Sequence, residues 1–112
     1  MTFHVDGLAP SITSNDLAMA FQRLIGPVSE VVLKRDPLTK LSRGFGFVTL
    51  QRPEHASALL LRMKQDPAFL TQAFSRDPAF LDQSNPLVLH PAIQNGDGSY
   101  NIMLDYLYSA AL

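Results

Sequence analysis

Cysteine and tryptophan are absent from this 112-residue chain. Without thiols there is no disulfide framework and no thiolate metal site, and an intracellular protein is expected, with nucleus and cytoplasm not distinguished. The opening MTFHVDGL lacks a basic segment leading into an apolar run, so it does not read as a signal peptide. No stretch approaches the roughly 20 apolar residues of a membrane span, and a membrane is not an expected partner. An excess of one charge is missing too: 9 Lys and Arg face 10 Asp and Glu, for a net charge of −1. Charge alone would hold a polyanion weakly. There is no nucleophile–base–orienter set, no phosphate loop and no paired carboxylate, so neither a catalytic residue nor a cofactor is expected.

What is present is enough apolar residue, 46%, to pack one domain. FHVDGL (3–8) alternates and ends in a glycine turn, as a strand with Phe3 and Val5 on one face. Thr13 with Asp16 makes a capping-box start, and Leu17, Ala20, Phe21 and Leu24 follow at helical spacing until Gly26-Pro27. VSEVVLKR (28–35) is a second strand, with Val31 and Leu33 inward and Val32 and Lys34 outward. DPLTK is a turn, and residues 43–50 form a third strand. Pro53 opens a second helix, packed through Ala56, Leu59, Leu60 and Met63, with His55 expected in solvent. PLVLHPAI (86–93) is the last strand, with Leu87 and Leu89 inward, His90 outward, and Pro91 restricting it to a sheet edge or end. The order β-α-β-β-α-β predicts an α+β, ferredoxin-like sandwich: a four-stranded antiparallel sheet with both helices on one face.

Alternation in SRGFGFVTL (42–50) sends Phe45, Phe47 and Thr49 to one face and Gly46, Val48 and Leu50 to the other. With Val48 and Leu50 facing the helices, both phenylalanines stand on the uncovered face. Beside them lies charge: Lys34, Arg35, Lys40 and Arg43 are four of the nine basic residues, and residues 1–52 carry six basic against four acidic side chains. Exposed rings beside basic groups suit single-stranded nucleic acid, because every base has a π-face that can stack. Gly44 and Gly46 are expected to let a ligand backbone approach closely.

RGFGFVTL resembles the first ribonucleoprotein motif of the RNA recognition motif family, with Leu50 where the pattern has Phe or Tyr. FHVDGL resembles the second motif, with His4 in the place of a stacking aromatic. The resemblance covers residues 2–64 closely and 86–93 loosely. It implies a domain over residues 1–94 that binds single-stranded RNA, with Phe47 and His4 stacking bases, Phe45 packing on sugars and Arg43 meeting a phosphate. Asp6, Val32, Lys34, Thr49 and His90 share that face and Lys40 adjoins it, completing the expected RNA-binding set. The implied strand order sets His4 beside His90, but two histidines without further ligands do not make an expected metal site.

Two segments fall outside this pattern. The 65–85 insertion contains an echo, QDPAFL and RDPAFL, in which Asp then Pro suits a helix start, and short helices are expected near 67–75 and 78–83. Their Phe69, Leu70, Phe74, Phe80 and Leu81 either seal the core or form an apolar patch for a protein partner. After a linker at 95–99, residues 100–112 read as a C-terminal helix, apolar nearly all round. Tyr100, Met103, Leu104 and Leu107 on it are candidate contacts to the open sheet as a lid, to a second copy of the chain, or to another protein. The rival to RNA binding is therefore a protein-interaction domain using the insertion and the tail.

Overall fold

The computed structural model describes residues 1–80, 87–97 and 99–102. Strands β1 (Thr2–Asp6), β2 (Val28–Arg35), β3 (Ser42–Leu50), β4 (Val88–Gln94) and β5 (Tyr100–Ile102) form one antiparallel sheet in the order β2-β3-β1-β4-β5. Helices α1 (Ser14–Leu24), α2 (Pro53–Gln65) and α3 (Pro67–Ser75), with a 3-10 turn at Pro78–Phe80, complete the described elements. The sheet thus has five strands rather than four. The fifth is formed by the first residues of the tail, which are extended rather than helical; Met103, Leu104 and Leu107 lie outside the described residues.

Local chemistry accounts for most boundaries. Thr13 Oγ1 accepts from the Asp16 amide and the Asp16 carboxylate accepts from the Thr13 amide, closing the capping box at α1. Proline occupies the first turn of both α2 and α3, where its missing N–H costs nothing. Asp66 holds the cap position before α3 without a side-chain cap bond. Phe3, Val5, Val48, Leu50, Leu87 and Leu89 face the helices, and Leu17, Ala20, Phe21, Ala56, Leu59 and Met63 meet them in one core.

The insertion extends this core. Phe74 and Phe80 are buried, the Phe74 ring lying 5.1 Å from Phe21 and 5.9 Å from Phe80. They are core side chains, not partner contacts; the Phe69 side chain and Leu81 lie outside the described residues. Buried Asp77 receives both Arg23 Nε (3.0 Å) and Nη2 (2.7 Å), a forked pair that ties the segment to α1.

Three further expectations change. β4 is an interior strand between β1 and β5 rather than the sheet edge, and it accommodates Pro91 because the described pairing with β5 begins one residue later at Ala92↔Ile102. His55 is not a freely solvated residue: its Nδ1 is buried, and it packs against Gly26 so closely that a Cβ there would lie 2.5 Å from it. Gly46 serves the fold itself, since a Cβ on it would stand 2.7 Å from the Val32 carbonyl oxygen. Gly44 adopts φ +84° while its carbonyl accepts from the Leu8 amide.

Candidate nucleic-acid interface

Sheet register assembles the candidate residues on the face opposite the described helices. Pairing of β1 with β3 sets His4 opposite Phe47 and Asp6 opposite Phe45. Pairing with β4 sets His90 beside His4, and pairing of β2 with β3 sets Val32 beside Phe47. The rings converge: His4 lies 5.4 Å from Phe45 and 5.2 Å from Phe47, Phe45 lies 6.3 Å from Phe47, and His90 lies 6.4 Å from His4.

Two cations complete the cluster. The Arg43 guanidinium carbon stands 5.1 Å above the Phe45 ring, and Lys34 Nζ lies 5.9 Å from the centre of Phe47. Asp6 accepts from the Gly7 amide, and the hydroxyls of Thr49 and Thr2 are bonded at 2.8 Å. Lys40 is exposed in the β2–β3 turn at φ +65°. That turn is held by Asp36, whose carboxylate accepts from the Leu38 and Thr39 amides; these bonds lower its pKa.

Exposure is distributed differently from expectation. Phe45 is partly exposed, as the open face requires, but Phe47 is only 5% exposed and His4 only 7%. For Phe47 the cause is Tyr100. Ile93 and Gln94 run past the last β1 pair, Thr2↔Ala92, and the β4–β5 hairpin they begin carries Tyr100 onto the open face. Its ring lies 3.8 Å from Phe47 at 11°, a parallel stack, with Lys34 Nζ 6.0 Å from its centre. The sequence marked Tyr100 as a lid candidate on a helix; its place as a strand residue stacked on one named phenylalanine had no local signal. Burial of His4 disfavours its charged form, neighbouring Asp6 favours it and His90 opposes it, with burial dominant, so its pKa is lowered. Among the described residues no group of three or more His, Asp or Glu side chains is placed to hold a metal, and no helix is long and apolar enough to cross a membrane.

An antiparallel sheet with helices on one face and clustered aromatic and basic side chains on the other defines the RNA recognition motif architecture. The family model for the RNA recognition motif matches residues 4–66, and the chain belongs to this family. It is similar to the RNA-binding protein Musashi homolog 1 of Caenorhabditis elegans, 39% identical over 56 residues, which are 50% of this chain and 17% of that protein. An uncharacterized RNA-binding protein of Schizosaccharomyces pombe is 36% identical over 56 residues, 50% of this chain and 18% of that protein. The chain therefore spans under a fifth of these relatives' length. In fold it is similar to the crystal structure of RNA Binding Protein PG1 (TM-score 0.62, 22% identity, covering 85% of this chain and 96% of that one).

Proposed function

We propose that this domain binds short single-stranded RNA on the sheet face opposite its described helices, by base stacking and phosphate contact and without catalysis. The observation that carries this reading is the partly exposed Phe45 ring under the Arg43 guanidinium, beside His4 and Phe47. A ring and a cation at this spacing suit a base and the phosphate next to it. The relatives named as RNA-binding proteins support it. Core burial of Phe74 and Phe80 removes two anchors that a protein-interaction reading would use. Titration with a mixed pool of short RNA oligonucleotides tests the proposal. The parent binds, and Phe45→Ala loses about 1–3 kcal/mol of affinity; equal binding by parent and variant would move the site off the sheet.

A further inference from the structure

Phe47 is a flat ring on an open sheet, yet it has already taken a stacking partner from its own chain. Tyr100 lies on it at 3.8 Å and 11°, which is the distance and tilt at which a nucleobase would stack. We propose that Tyr100 occupies the base seat on Phe47, so that RNA reaches this ring only when β5 lifts away. The inference rests on the RNA-binding reading above and adds a regulatory contact to it.

The elements that would move are suited to the task. Among the described residues, β5 contributes Tyr100–Ile102 at the sheet edge, paired over Ala92↔Ile102, Ile93↔Asn101 and Gln94↔Tyr100. An edge strand whose described residues are none of them fully buried belongs to the part of a fold that opens at low cost. Its turn is clasped by side chains. The Asn95 amide donates to the Ser99 carbonyl at 2.8 Å, Asn95 Nδ2 donates to Ser99 Oγ at 2.9 Å, and the Asp97 carboxylate accepts from the Ser99 amide and hydroxyl at 3.0 and 2.6 Å. Lys34 lies near the rim of both rings and would remain on the sheet when Tyr100 departs. Opening would thus free a ring beside a lysine.

If about a tenth of the molecules are open, the apparent dissociation constant is about tenfold weaker than that of the open domain. The test is RNA titration and stopped-flow association of the full 112-residue chain with one mixed-sequence oligonucleotide. Tyr100→Ala binds about tenfold tighter and associates faster, whereas Tyr100→Phe, which keeps the ring, behaves as the parent. Asp97→Ala, which loosens the clasp and leaves the stack intact, tightens binding in the same direction. It guards against a folding defect in the first variant. Phe47→Ala costs more affinity in the Tyr100→Ala background than in the parent, because the seat is then in use. Unchanged or weaker binding by Tyr100→Ala and Asp97→Ala, with Phe45→Ala still weakening the parent, overturns the inference and leaves RNA binding standing. Absence of binding by every variant and the parent overturns both.

Discussion

Burial makes His4 harder to protonate than a free imidazole, and the direction has a consequence for stability. Its unfolded value is near 6.5, so between that pH and the lower folded value the unfolded chain binds more protons. The contribution of neutral His4 is complete above about pH 6.5 and is lost as pH falls through the folded value. Urea denaturation at pH 7.5 and 5.5 should show the parent losing stability at the lower pH, and His4→Phe losing less. Equal losses would assign the effect to a group other than His4. Gly46 makes a second prediction at this scale. Because a Cβ would sit 2.7 Å from the Val32 carbonyl oxygen, Gly46→Ala should cost about 1–3 kcal/mol by forcing β2 and β3 apart. A thermal melt within a degree of the parent would refute that account.

Among the elements, α3 and the 3-10 turn act as a plug rather than a display surface. Phe74 is fully buried between Phe21 and Phe80, and truncating such a ring leaves a cavity its neighbours cannot fill. Phe74→Ala should lower stability by about 3–5 kcal/mol, read from denaturant unfolding. A change well below that would return the segment to the role of a partner surface. The echoed DPAFL sequences also diverge in use. Asp66 holds a helix cap position without capping it, while Asp77 turns inward to the fork of Arg23. The two aspartates of the same short sequence thus take different roles.

For the whole molecule, a net charge of −1 and a local group of Lys34, Lys40 and Arg43 predict that the proposed RNA binding depends weakly on salt. Three phosphate contacts on a single strand correspond to a slope of log K against log salt of about −2. Arg43→Ala should reduce its size by about 0.7 and weaken all sequences alike. A parent slope near zero would mean that these cations do not meet phosphate.

The alternation of β1 and β3, the capping box at Thr13 and the motif RGFGFVTL were readable because each is local: neighbours a few residues apart fix a strand face, a helix start or a ring on a sheet. They were enough to place Phe45, Phe47 and His4 on the face opposite the described helices. Other features depend on residues far apart in the chain. Gly46 is required by a carbonyl on another strand, Asp77 is held by an arginine 54 residues away, and Phe47 is covered by a tyrosine 53 positions later. The apolar pattern of residues 100–112 suited a helix, yet the described start of that segment is a strand, because β4 offers an unpaired edge that a local pattern does not contain. Local periodicity therefore set which face each candidate side chain occupies, and long-range packing set which of those side chains water can reach.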